Sequence, residues 1–137
     1  MRILLVTQYF WPENFIVNDL VKCLILEGHD VVVFTGKPNY PDGKVFSGYE
    51  EKGSFSERYM QKVKVYRAPL RERGKGTLGI LRNYISFIIN GLLYFPYFLK
   101  SENDKFDVVL VYAPSPITSV IPAIFLKWKL KSHLGMV

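Results

Sequence analysis

The chain has 137 residues, a single cysteine and a net charge of +6, which makes it one domain or part of one and excludes an internally disulfide-linked scaffold. Apolar residues make up 49 %, so a core can be buried. The basic excess admits an anionic partner, namely nucleic acid, a membrane surface or a phosphorylated substrate. No nucleic-acid motif is present, however, and the positive charge is scattered over loops and expected helix ends.

Arg2–Tyr9 is a short apolar stretch with no strict alternation, as expected of a strand covered on both faces. Gln8 ends its apolar run before the length of a signal-peptide core, so the start reads as a cytosolic first strand. The turn that follows, TQYFWPEN, occupies the place of a phosphate-binding loop but contains no glycine. G-x-G-x-x-G lets backbone approach a pyrophosphate, and Phe10, Trp11 and Pro12 would block that approach. A nicotinamide-dependent oxidoreductase is therefore a poor reading.

Asn14 is placed to cap a helix over Phe15–Glu27, with Phe15, Ile16, Val17, Leu20, Val21 and Leu24 at helical spacing and Gly28 as the stop. Cys23 on that helix reads as a small buried residue rather than a nucleophile, and one cysteine suits a reducing compartment. Asp30–Thr35 is a second buried strand, completing a βαβ unit with a right-handed crossover. Gly36–Phe55 is a long Gly/Pro-rich loop of the kind that tends to be functional. Tyr59–Leu70 is β-prone, with a hairpin bend near Lys62–Val63 as a variant reading, and RERGKG after it is a basic loop.

Leu78–Leu99 carries one long apolar helical pattern, interrupted by Gly91 and Pro96. Within it Tyr84–Leu99 has sixteen residues, of which only Ser86 and Asn90 are clearly polar. That falls short of the ~20 residues that span a bilayer. Two readings stay open: a core helix, or a helix with one face in the membrane interface and basic residues on the headgroups. The interfacial reading assigns membrane contact to Arg71, Arg73, Lys75, Arg82, Tyr84 and Phe87. Lys105–Tyr112 is a further strand, lying near an incompletely covered sheet edge. Ile117–Leu130 is a last helix, and Met136–Val137 looks like the start of one more strand, which suggests a truncated domain.

The order predicts an α/β, Rossmann-like, doubly wound parallel sheet. Ligands of such sheets sit beyond the carboxyl ends of the strands, where Gln8, Glu13, Asn14, Lys37, Asn39, Arg71, Arg73 and Ser115 stand beside Phe10, Trp11, Tyr40 and Tyr112. Aromatic rings with amides and carboxylates suit a sugar, whose CH faces stack and whose hydroxyls need polar partners. His29 and His133 form no metal-ligand spacing, and Ser115 lacks a nucleophile-elbow context, so no metal, cofactor or catalytic residue is expected.

MRILLVTQYFWPEN, with EGHDVVVFTGKPNYPDGKVFSGY and FDVVLVYAPSPIT, resembles the start of family 4 glycosyltransferases of GT-B fold. Within them it is most similar to fucosamine-transferase-like enzymes of O-antigen and colanic acid assembly. The resemblance covers essentially the whole chain and implies the N-terminal, acceptor-binding half of a retaining enzyme. The donor domain, which would hold the nucleotide-sugar, is not matched. Carried over are acceptor-side positions: Trp11, Glu13 and Asn14, then Lys37, Asn39 and Tyr40, then Tyr112 and Ser115. The implied setting is the inner face of the bacterial cytoplasmic membrane, with a polyprenyl-diphosphate-linked glycan as acceptor. The chain alone is expected to be inactive, since transfer needs donor and acceptor held together. The alternative is a non-catalytic membrane-associated or scaffold module; a nucleotide-binding regulatory domain ranks last.

Overall fold

A computed structural model describes residues 1–50, 52–74, 76–103, 105–114 and 117–137. Six strands form one sheet in the order β3-β4-β2-β1-β5-β6. β1 (Arg2–Val6), α1 (Ile16–Leu26) and β2 (Asp30–Gly36) make the predicted βαβ unit, with Ile3 beside Val31 and Leu5 beside Val33 in parallel register. β3 (Phe55–Tyr59) and β4 (Val63–Ala68) are an antiparallel hairpin, and β4 pairs parallel to β2. The chain then crosses by α2 (Thr77–Ser101) to β5 (Val108–Val111), on the other side of β1. A 3-10 turn (Ile117–Ser119) and α3 (Val120–Leu130) lead to β6 (His133–Met136), parallel to β5. The fold is α/β and Rossmann-like, with a mixed, mostly parallel sheet.

Strand alternation divides the core. Leu4, Val6, Val32, Phe34, Val109 and Val111 face Phe87, Phe95, Phe98 and Leu99 of α2 and Ala123 and Leu126 of α3. Ile3, Leu5, Val31, Val33, Val63 and Val65 face Val17 and Val21 of α1. Each large side chain so buried stabilises the fold by roughly 1.5–3 kcal/mol before conformational entropy is charged against it. The strand order reverses at β1, so the crevice between the carboxyl ends of β1 and β5 is the topological switch point.

Several expectations are corrected. The hairpin begins at Phe55, inside the stretch read as loop, and bends at Met60 and Gln61, both at positive φ. β5 lies next to the sheet edge, which the four-residue β6 forms. α2 runs unbroken through Gly91 and Pro96. At Gly91 a Cβ would lie 3.2 Å from Pro122 Cβ of α3 and 3.0 Å from the Phe95 ring. Phe15, not Asn14, precedes α1, and no side chain caps that helix. Cys23 is exposed, because the buried stripe of α1 runs through Val17, Asn18 and Val21 and leaves position 23 on the opposite side.

Candidate functional site at the carboxyl edge of the sheet

The glycine-free turn after β1 is held by its own polar side chains. Glu13 is buried, and its carboxylate accepts the backbone N–H groups of Phe10 (3.2 Å), Asn39 (2.9 Å) and Tyr40 (2.8 Å). It therefore ties the β1 loop to the β2 loop. Burial holds the Glu13 carboxyl above the usual carboxylate range, against the pull of those three donors. Asn18, on α1, accepts the Trp11 N–H (2.9 Å) and donates to the Glu13 carbonyl (2.7 Å), bracing the turn from the helix side. Arg67 of β4 is fully buried and braces it from the sheet side. Its guanidinium donates to the carbonyls of Trp11 and Gly36 and to Glu57, 2.5 Å away.

Tyr9, Phe15 and Tyr40 form an aromatic cluster over this edge: Tyr9 stacks on Phe15 at 5.2 Å, and Tyr40 tilts against Phe15 at 5.1 Å and Tyr9 at 5.9 Å. The Arg73 guanidinium lies 5.5 Å from both tyrosine ring centres and donates to the Tyr9 hydroxyl. Burial pushes the Tyr9 phenol up to about 12 despite Arg73, so it stays neutral. Arg73 N–H donates to the Gly43 carbonyl (2.9 Å), drawing the segment after β4 over the β2 loop.

α2 supplies the third wall. Asn83 is fully buried, accepting from Gln8 Nε2 (2.8 Å) and donating to the Arg71 carbonyl (2.6 Å). Ser86 accepts the Arg71 N–H (3.0 Å), and Asn90 donates to the Pro69 carbonyl (2.8 Å). The polar residues of this apolar helix thus line one side and strap down the segment after β4.

Within this wholly braced edge, several buried side-chain atoms have no hydrogen-bond partner among the described residues. They are Gln8 Oε1, Asn39 Oδ1 and Nδ2, and Arg73 Nε. Asn39 is fully buried with its entire amide unpaired, although such groups are normally satisfied. Donors and acceptors are therefore left over inside the braced edge, those of Gln8 and Arg73 next to the Tyr9 ring.

The expected acceptor residues separate into groups. Tyr40 belongs to the cluster, Asn39 precedes it with a buried side chain, and Glu13 positions the backbone of both from inside rather than offering an exposed carboxylate. Trp11 is partly exposed but its ring packs on Tyr59 of the hairpin, 5.5 Å away, apart from Tyr9 and Tyr40. Asn14 is exposed, Lys37 is buried, and Tyr112 is half-buried against the α1-side core. Ser115 lies outside the described residues. Sequence reasoning passed over Tyr9, Phe15, Arg67 and Asn83. Asn83, Ser86 and Asn90 carry a readable signal, since their i, i+3, i+7 spacing puts three polar groups on one helix face.

The membrane-contact expectations also divide. Phe87 is fully buried on the sheet and is withdrawn from that role, and Tyr84 is half-buried. Arg73 is turned onto Tyr9 and Tyr40 instead of outward. Lys75 lies outside the described residues. Arg71 and Arg82 are exposed and have no acidic partner among the described residues. The exposed apolar line on α2 is Leu78, Leu81, Ile85, Ile89, Leu92 and Tyr97, continued on α3 by Ile121, Ile124, Phe125 and Trp128. α2 is long and apolar enough to cross a membrane by length and composition, yet only 28 % of its most apolar window is buried while its other face packs on the sheet. Both open readings of this helix therefore describe one side of it: an inner face in the core, and an outer face that is apolar and uncovered.

Compared with protein-family models and with curated proteins, the chain matches none.

Proposed function

We propose that this chain is the acceptor-binding domain of a sugar-transferring enzyme of GT-B architecture, acting at the cytoplasmic face of a bacterial membrane in cell-surface polysaccharide synthesis. The observation that carries the reading is the Tyr9–Phe15–Tyr40 ring cluster at the carboxyl edge of a Rossmann-like sheet, on a loop that also holds the buried, unpaired amide of Asn39. In this reading Tyr40 stacks on the acceptor sugar, and Asn39 and Gln8 take its hydroxyls. Glu13 fixes the two loops that carry these side chains. Trp11, Asn14, Lys37, Tyr112 and Ser115 are proposed as further acceptor contacts. The glycan is lipid-linked, and a separate domain holds the nucleotide-sugar, so retaining transfer needs both. No cofactor or metal enters the scheme.

Titration of the isotope-labelled chain with water-soluble N-acetylhexosamine 1-phosphates tests this. Saturable shifts are expected at the Asn39 side-chain amide and the Tyr40 ring. Saturable binding that leaves both unmoved would place the ligand elsewhere and contradict the reading. The chain alone should also release no nucleotide from a nucleotide-sugar, and turnover above background would contradict the assignment of donor binding to another domain.

A second reading, a non-catalytic membrane-bound module, is favoured by the uncovered apolar faces of α2 and α3. It predicts membrane binding with no response of Asn39 or Tyr40 to any saccharide.

A further inference from the structure

Two clefts, of about 310 and 320 Å³, open side by side at the start of α2. The first is lined by Arg71, Glu72, Arg73, Gly74, the first turn of α2 at Leu78 and Gly79, and Arg82. The second is lined by Arg71 and Arg82 again, and then by Ile85, Ser86, Ile89 and Asn90. Arg71 and Arg82 thus stand on the boundary between a polar cleft and an apolar one. Neither guanidinium has an ion-pair or hydrogen-bond partner among the described residues.

The polar cleft favours an anion on every side but one. The first turn of α2 has no acidic residue and no side-chain cap, so its backbone N–H groups add to the positive field. Its one acid, Glu72, is engaged by the Val45 N–H at 3.2 Å. The fit of the segment after β4 to this turn is close: a Cβ at Gly79 would lie 1.6 Å from the Arg73 carbonyl oxygen, so only glycine lets the two lie together. The apolar cleft runs straight into the exposed Ile85–Ile89 line, and that line continues for about 20 Å of helix at 1.5 Å per residue. A cationic cleft opening onto an apolar rail matches a molecule with a phosphate at one end and hydrocarbon at the other.

We propose that Arg71 and Arg82 hold the headgroup phosphate of an anionic bilayer lipid, with the outer faces of α2 and α3 lying in the interface below it. This deepens, and rests on, the membrane-facing part of the function proposed above, but it does not require sugar binding. Charge complementarity selects the occupant: two partnerless arginines, a basic chain and an apolar face suit an anionic bilayer, and two copies of this cationic cleft brought face to face would repel. The arginines give the docked domain a fixed heading, because the phosphate sits at one end of the rail only.

Co-sedimentation with vesicles of phosphatidylcholine, alone or mixed with phosphatidic acid, provides the test, and Trp128 emission in a Trp11→Phe background reports burial of α3. The chain is expected to partition onto the mixed vesicles with a blue shift of Trp128. Arg71→Gln/Arg82→Gln should weaken that partition by about ten-fold or more, at roughly five-fold per cation. The charge-matched pair Arg58→Gln/Lys62→Gln, on the exposed hairpin, should cost less than about three-fold. Both pairs are exposed, so circular dichroism should show an unchanged fold. If the wild-type chain binds neither vesicle, docking falls together with the membrane-facing reading it rests on. If it binds and the arginine pair behaves like the control pair, docking stands and the phosphate site is overturned. Inorganic phosphate that saturates the site at micromolar levels without displacing vesicles would make it a soluble-anion site and overturn the lipid assignment. A stable dimer abolished by Ile85→Gln/Ile89→Gln, with no vesicle binding, would assign the face to a second copy instead.

Discussion

The two ends of the sheet each bury a glutamate, and they treat it in opposite ways. At the amino end Glu102 receives the side chains of Arg2 (2.6 Å), Lys64 (2.8 Å) and Tyr66 (2.5 Å), and Arg2 reaches on to Asp30 and two backbone carbonyls. At the carboxyl end Glu13 receives only backbone N–H groups, and the side chains around it keep unpaired atoms. Burial acts upward on both carboxyls. At Glu102 the hydrogen bonds of Lys64 and Tyr66 and the charges of Lys64 and Arg2 outweigh it and hold the group below its ordinary value. At Glu13 burial wins. Around Glu102 the charged side chains answer one another, whereas around Glu13 backbone N–H groups answer the carboxylate and Gln8, Asn39 and Arg73 keep unpaired atoms; at the amino end Ser132 Oγ, ahead of β6, is unpaired as well. Unsatisfied buried groups cost stability, a cost that a bound ligand or an ordered water offsets.

The largest break in this comparison should come from Glu13→Ala, which strips the acceptor from three buried N–H groups at once. A loss of about 3 kcal/mol or more is expected in a denaturant titration, since each orphaned buried donor costs about 1–3 kcal/mol. Glu102→Gln should cost less, about 1.5–3 kcal/mol, because Tyr66 and one cation can still donate to the amide oxygen.

The pH dependence of the two should differ in sign. Glu102, with its pKa depressed in the fold, contributes stability that is present above its ordinary pKa and lost as pH falls through the depressed one. Glu13, with its pKa raised, contributes stability that is present below its ordinary pKa and lost as pH rises through the raised one. Melting curves across the acid range should therefore show Glu102→Gln flattening the low-pH fall of the wild type, and Glu13→Gln removing a decline that begins in the ordinary carboxylate range and is complete above it. Identical profiles for the two variants would dissolve the contrast.

The sheet itself was legible because its signals are local and redundant. Ile3–Val6, Val31–Phe34 and Val108–Val111 are apolar runs between turn residues, and Gly28 stops α1 at φ +81°. The first arm of the hairpin was hidden because Phe55–Tyr59 reads FSERY, an edge strand with three consecutive polar residues between two aromatics and no alternation to read. α2 looked broken at Gly91 and Pro96 because propensity ignores what packs there, and Pro122 of α3 rewards the glycine. At the site, residue types pointed to the right edge of the sheet but not to roles. Glu13 has the chemistry of a ligand contact and the burial of a brace, and only the positions of the Asn39 and Tyr40 backbones separate the two. Tyr9 and Phe15 carry no site signal in the sequence, since their meeting with Tyr40 is a long-range contact.

The central claim is that the unpaired amide at the carboxyl edge exists for a ligand, and Asn39→Leu tests it most directly through paired measurements of melting temperature and saccharide binding. Leucine keeps the branched shape and removes two buried polar atoms that have no partner in the described fold. The account predicts a melting temperature raised by a few degrees, corresponding to about 1 kcal/mol, together with loss of N-acetylhexosamine 1-phosphate binding. A lowered melting temperature with binding retained would show that the amide serves the fold alone, and would contradict the account.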